Sequence, residues 1–166
     1  MRGHLTLGSN LGDPAQQIED ALTALAVRGV EVIARSALYR TEPVGAVLDQ
    51  PEYLNAAATI ETDLQPDELL AVLKDVERRA GRETDSNAPA YVRDGPRAID
   101  LDIALLGGLV HDTDLLTVPH PRLLERRFAL IPLLELDAEL ATPDGRRLAD
   151  ALAALPVAGQ DVRRVD

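Results

Sequence analysis

Hydrophobic and polar positions along the chain change period several times, and each change marks an element. Residues 4–8, His4-Leu5-Thr6-Leu7-Gly8, alternate with period two as a half-buried strand does, and run into the turn-rich Ser9-Asn10-Leu11-Gly12-Asp13. Asp13 before Pro14 is a cap followed by a favoured first helical residue. Ile18, Leu22 and Leu25 then share one helical face, and Arg28-Gly29 ends it. Val30 to Arg40, rich in β-branched and apolar residues, predicts one long strand, and 41–52, with two prolines and a glycine, predicts a loop. Tyr53 to Thr62 predicts a strand with Leu54, Ala56, Ala58 and Ile60 on one side and Tyr53, Asn55 and Ala57 on the other. Pro66 opens a second helix whose buried stripe is Leu69, Leu70, Leu73 and Val76, and Gly81 closes it before a polar stretch over 82–97. Ile99 to Leu106 alternates Ile99, Leu101, Ile103 and Leu105 against Asp100, Asp102, Ala104 and Leu106. From Pro121 the pattern is mostly helical, broken at Pro132 and at Pro143-Asp144-Gly145, with 148–155 as a last short helix.

The order β-α-β-β-α-β predicts an α+β fold of the ferredoxin-like kind: an antiparallel sheet with helices on one face, the other face open to a ligand, and additional C-terminal helices. With 166 residues and no internal repeat or linker, residues 1–166 are expected to form a single domain. The apolar stretches are too short to cross a bilayer, and the N-terminus carries no signal-like segment, so the sequence predicts a cytoplasmic protein without a membrane partner. A chain without cysteine excludes disulfides, thiolate nucleophiles and Cys-type zinc sites.

The formal charge of −11 disfavours nucleic acid, whose binding needs a broad cationic footprint. A small anion is different, because a few local arginines and a metal can hold it. Lys74 is the only lysine and lies outside any Gly-rich loop, which excludes a P-loop nucleotide site. Phosphate must therefore be gripped by arginines, whose planar guanidinium offers forked donors.

Asp100 and Asp102 focus the chemistry. Two apart on a strand, their carboxylates point to the same side with Cα atoms roughly 6.5 Å apart. Such a pair repels itself unless a cation lies between. Magnesium suits an all-oxygen site of one or two carboxylates completed by substrate phosphates, and two such ions about 4 Å apart can clamp an in-line displacement. A solvated strand face would explain an isolated D-x-D equally well. The flanking Arg93-Asp94-Gly95-Pro96-Arg97 shifts the balance, since it hangs two arginines on a turn just before the acidic strand. A polyphosphate needs that mixture of metal-binding anions and cations; simple ion pairing of the arginines with the aspartates is the alternative.

The segment Gly95-Pro96-Arg97-x-x-Asp100-Leu101-Asp102 resembles the hallmark of the hydroxymethyl-dihydropterin pyrophosphokinases. Further matches follow in order: Gly8-Ser9-Asn10-Leu11, Tyr39-Arg40-Thr41 with Pro43, Gln50-Pro51-x-Tyr53-Leu54-Asn55-Ala56, Gly81-Arg82, Leu116-Thr117-Val118-Pro119-His120, and Arg127-Phe128. The resemblance implies an ATP-dependent transfer of diphosphate to the pterin hydroxymethyl group in folate biosynthesis, with release of AMP and with magnesium, two ions expected. It implies a pterin pocket of Thr41, Pro43, Tyr53, Asn55 and Phe128, with Tyr53 and Phe128 sandwiching the ring; these are two of only four aromatic residues, three Tyr and one Phe. It assigns ATP to Glu77, Arg82, Arg97, Ile103, Thr117, His120 and Arg126, and metal to Asp100 and Asp102. Arg82 and Arg97 would stand at the two ends of a loop closing over the phosphates, acting with the aspartates in catalysis. No general base is evident, so deprotonation of the pterin hydroxyl is expected to follow from metal coordination. His4 and His111 read as surface or turn histidines. The chain departs from the family at Asp94, where tryptophan is usual, and in a longer loop over 83–91 in which Tyr91 is the candidate replacement; a Tyr91→Ala variant with unchanged nucleotide affinity and turnover would refute that role. A monomer is expected. Two other classes remain open at this level: a non-catalytic ferredoxin-like ligand- or metal-binding module, and a two-metal nucleotidyl transferase, which would release pyrophosphate.

Overall fold

A computed structural model describes residues 1–42, 50–81 and 98–165. Its elements are β1 (Arg2–Ser9), α1 (Pro14–Ala26), β2 (Val30–Arg35), β3 (Leu38–Thr41), β4 (Tyr53–Thr62), α2 (Pro66–Arg79), β5 (Asp100–Leu106), β6 (His111–Asp112), β7 (Thr117–Val118), α3 (Arg127–Leu136), α4 (Leu148–Ala154) and β8 (Val162–Val165). The main sheet runs β5-β1-β4-β3-β8, with β2 also paired to β4, and every pairing is antiparallel. This is the ferredoxin-like α+β arrangement that the order of elements predicts.

Local chemistry sets the boundaries. Asp13 caps α1 by accepting the Gln16 N–H at 3.3 Å, Pro14 begins the helix, and Gly29 at φ 83° turns the chain into β2. The α2 entry is held by the Gln65 N–H donated to Glu68 at 2.8 Å. The long strand expected over Val30 to Arg40 is two strands. At Ser36 the hydroxyl accepts the Ala57 N–H at 2.9 Å and donates to Ala37 O at 2.7 Å. A side chain thus takes a ladder position, and the backbone N–H of Ala37 turns to Glu135 at 3.0 Å.

One face of the sheet is dry. Leu5, Leu7, Ala56, Ala58, Ile60, Leu101 and Ile103 pack against Ile18, Leu22 and Leu25 of α1 and Leu69, Leu73 and Val76 of α2. Leu70, expected in the α2 stripe, is only half-buried. The other face is not simply open. Ala57, Ala104 and Leu105 pack beneath Leu130 and Leu133 of α3 and Leu148 of α4, so these C-terminal helices cover half of it. Pro132 does not break α3; it lies inside the helix, buried with Ala129, Leu130 and Leu133, where packing outweighs the missing N–H. The 111–118 hairpin and β8 were not anticipated from the pattern, being only two and four residues long. His4 is not on the surface. It is 7% exposed on the half covered by α3, and burial lowers its pKa. His111 is not in a turn either: it is half-buried in β6, opposite Val118, with Nε2 3.2 Å from Asp67. Among the described residues no helix is long and apolar enough to cross a membrane.

Candidate active site

Ahead of the first residues of α3, the same face becomes a cleft. It is lined by Thr6 and Gly8 of β1, Thr41 and Glu42 at the end of β3, Tyr53 and Asn55 of β4, Asp100 and Asp102 of β5, and Arg122, Arg126 and Phe128 from the segment entering α3. Strand register brings these residues together. Asp100 lies opposite Gly8, which lies opposite Asn55, and Asp102 lies opposite Thr6. Paired residues project to one side of a sheet, so the two carboxylates share a floor with Asn55 and, two positions along, with Tyr53.

Gly8 is dictated by close approach. A Cβ there would stand 2.8 Å from Asn55 Oδ1. The Asn55 amide therefore lies over bare backbone, while its Nδ2 donates to Thr41 Oγ1 at 2.6 Å. Asn55 is 6% and Thr41 4% exposed, and the hydrogen bond between them holds the amide in place at the cleft wall. Tyr53 follows a segment tied down by Asn10, whose Nδ2 donates to Gln50 Oε1 at 2.9 Å and Pro51 O at 3.0 Å.

The acidic strand is buttressed along its outer edge. The Leu101 N–H donates at 2.9 Å to Glu77, a fully buried carboxylate of α2 that also lies 3.5 Å from Lys74. Burial, then the charges of Asp100 and Glu77, raise the Asp102 carboxyl to about 7, against smaller opposing effects of Arg126 and Lys74. A carboxylate pair that crowded favours a cation, and an all-oxygen pair opening on a cleft is the donor set magnesium takes when phosphates complete its shell. The residues present thus fit the metal that the sequence pattern implies.

Opposite stands a cationic rim. A register shift in β5 near Ala104 lets Ala104 O accept the His120 N–H at 3.1 Å, which anchors the following segment. The Arg122 N–H donates to His120 Nδ1 at 3.1 Å, so in the neutral ring Nε2 carries the hydrogen. Burial and the neighbouring Arg126 lower His120 to about 4, Asp100 pulling the other way. One 3-10 turn over Leu123–Glu125, pinned by buried Leu123, separates Arg122 from Arg126. The Arg126 guanidinium sits 5.4 Å above the Phe128 ring, which holds both at the cleft edge.

Of the residues singled out from sequence, Thr41, Tyr53, Asn55, Asp100, Asp102, Arg126 and Phe128 line this one cleft. His120 lies beside it, within electrostatic reach of Asp100 and Arg126. Glu77 stands behind the acidic strand rather than in the cleft wall. The Ile103 side chain is 3% exposed in the core on the opposite face, and Thr117 bonds Asp112 at 3.2 Å on the small hairpin. Pro43, Arg82, Tyr91, Asp94 and Arg97 fall outside the described residues. Sequence reasoning missed Thr6, Gly8, Glu42 and Arg122 as lining residues. The β1–β5 register would have exposed the first two, and Arg122 follows His120-Pro121 directly.

Fold and cleft together are those of a ferredoxin-like α+β enzyme acting on small molecules. The 7,8-dihydro-6-hydroxymethylpterin-pyrophosphokinase (HPPK) family model matches residues 4–138, and the chain belongs to this family. It is 41% identical over 159 residues to the 2-amino-4-hydroxy-6-hydroxymethyldihydropteridine pyrophosphokinase of Pseudomonas aeruginosa, covering 95% of this chain and 94% of that one. It is 40% identical over 166 residues to the protein of the same name from Methylorubrum extorquens, covering 99% of each. Its fold matches a crystal structure of Plasmodium falciparum HPPK-DHPS with pteroate at a TM-score of 0.70 and 13% identity, over 92% of this chain and 44% of that longer one.

Proposed function

We propose that the protein transfers the terminal diphosphate of ATP to the hydroxymethyl group of 6-hydroxymethyl-7,8-dihydropterin, releasing AMP, as a step of folate biosynthesis. The observation that carries this reading is one cleft with two chemically distinct walls: an aromatic and amide wall suited to a flat heterocycle, and a carboxylate pair facing arginines suited to a metal-bound polyphosphate.

The pterin enters between the rings of Tyr53 and Phe128, and the Asn55 amide, oriented by Thr41, reads its polar edge. Pro43 completes that pocket on the strength of the resemblance. The polyphosphate lies toward β5. Arg126 and the Nε2–H of His120 donate to its oxygens, and Arg82 and Arg97 close over it by the same resemblance. Glu77 holds the edge of the acidic strand, so its contribution to nucleotide binding runs through the placement of Asp100 and Asp102. Ile103 and Thr117 contribute at most through backbone or through the approach of the adenine, since their side chains face the core and the hairpin.

Asp100 and Asp102 would hold magnesium, two ions in our reading, and the metal would supply neutralisation of polyphosphate charge and acidification of the hydroxyl. The pterin oxygen forms a bond to the β-phosphorus of ATP while the bond from that phosphorus to the oxygen bridging to the α-phosphate breaks. AMP leaves with that oxygen and the hydroxyl proton passes to solvent. Positioning and charge stabilisation, rather than a side-chain base, supply the catalysis.

Mass analysis of products after incubation with ATP, magnesium and the hydroxymethyl pterin tests this. AMP and a pterin carrying two added phosphates in equal amounts are expected. Pyrophosphate with a nucleotidylated product would replace this reading with a nucleotidyl transferase, and unchanged ATP with bound pterin would leave a binding module.

A further inference from the structure

The family match ends at residue 138, yet some twenty residues later (160 against 138) the chain returns to the residues bordering the cleft. The segment 160–165 touches the start of α3, strand β3 and the residue just before β4, which together border the proposed pterin walls. Gln160 Oε1 accepts the Arg127 N–H at 3.0 Å, and Gln160 O accepts the Arg127 Nε–H at 3.2 Å. Val162 lies opposite Thr41 in the β3–β8 ladder. Arg163 bonds Glu52, the residue before Tyr53, at 2.6 Å.

The contact at Arg127 matters most. A helix begins with N–H groups that have no partner within it, and α3 begins at Arg127 with Arg126 in the cap position making no side-chain cap bond. Gln160 supplies the missing acceptor from 33 residues away. The N–H it holds belongs to the peptide joining Arg126 to Arg127, and Phe128 is the next residue. Fixing that peptide plane fixes the direction in which the Phe128 ring leaves the helix and the guanidinium stacked on it.

We propose that Gln160 is a positioning residue for the pterin site, the C-terminal segment acting as a clasp that sets the spacing between the Phe128 wall and the Tyr53, Thr41 and Asn55 wall. This rests on the pterin reading given above. Gln160 touches no substrate; it acts through the start of α3.

The test compares pterin binding by calorimetry, with a non-hydrolysable ATP analogue and magnesium present, in the wild-type chain, Gln160→Ala and Gln160→Glu. A glutamate keeps an acceptor for the helix N–H and adds a charge that a helix N-terminus favours. Gln160→Ala should weaken pterin binding about fivefold, the scale of one hydrogen bond, and Gln160→Glu should restore it. A role confined to stability would lower the thermal midpoint and the active fraction of Gln160→Ala, with Gln160→Glu restoring them, without moving pterin affinity, and that result overturns the inference. Equal pterin affinity in wild type and Gln160→Ala also overturns it while leaving the pterin reading standing. Wild-type protein that takes up no pterin overturns both.

Discussion

On the sheet face that carries Asn55, the half toward Thr59 and the half toward Tyr53 are built from the same strands, yet one is sealed and the other is a site. In the sealed half Ala57, Ala104 and Leu105 lie beneath Leu130, Leu133 and Leu148, and even His4 is taken in as a neutral ring. In the open half Gly8, Asn55, Asp100 and Asp102 occupy the equivalent positions and, among the described residues, no helix covers them. The difference is where α3 begins: at Arg127, just beyond the paired arginines and just before the aromatic ring. The second half retains like-charge crowding that a proton on Asp102 or a bound cation relieves. A site of this kind is an expense that the dry core on the helix face supports.

Separating the two halves experimentally should follow a graded series. Asp102→Asn should lower turnover on the order of a thousandfold, the scale of a lost transition-state charge stabiliser. The same variant should raise the thermal midpoint of the metal-free protein at pH 8. The sign follows from linkage: a carboxyl raised from 3.8 to about 7 binds its proton more tightly in the folded chain, so stability declines as pH rises through that window, and asparagine removes the decline. A midpoint that falls instead would place Asp102 among the stabilising residues.

Leu130→Ala probes the sealed half. Truncating this fully buried leucine should cost about 2–5 kcal/mol of stability while the KM of the remaining folded enzyme stays unchanged. Thermal melts alongside initial rates check both statements. Gly8→Ala probes the open half without touching any charge. The added methyl must displace the Asn55 amide, at a cost of about 1–3 kcal/mol in pterin recognition, read as a rise in pterin KM with nucleotide KM little changed. The smallest effect concerns His4. Its lowered pKa means the unfolded chain binds the proton more readily, so stability is lost as pH falls below 6.5. His4→Gln should flatten that acid-side loss in melts between pH 6.5 and 5, opposite in direction to the effect of Asp102.

Period-two and helical patterns sufficed for β1, α1, β4 and α2, because each is long and buries a regular stripe. In β5 they held through Ala104, after which the register shift puts Leu105 under α3 and Leu106 in the opposite core, the reverse of strict alternation. They failed where one residue overrides the pattern. Ser36 divides a strand by replacing a ladder partner with its hydroxyl, and Pro132 stays in a helix because its surroundings are packed. The carboxylate pair was legible because period two alone puts Asp100 and Asp102 on one side. Thr6 and Gly8 were not, since their part in the floor depends on the β1–β5 register, which no local pattern encodes. Covering of half the face by α3 and α4 was likewise invisible: it depends on where the C-terminal helices dock. Gln160 is the extreme case, a polar residue in a short loop whose importance comes from an acceptor placed 33 residues from its donor.

Calorimetric titration of a non-hydrolysable ATP analogue, with and without magnesium, tests the carboxylate pair most directly. Wild-type protein should bind the nucleotide tightly only when magnesium is present, and Asp100→Asn with Asp102→Asn should bind it equally weakly in both conditions. A double variant that keeps the full magnesium dependence would contradict the account.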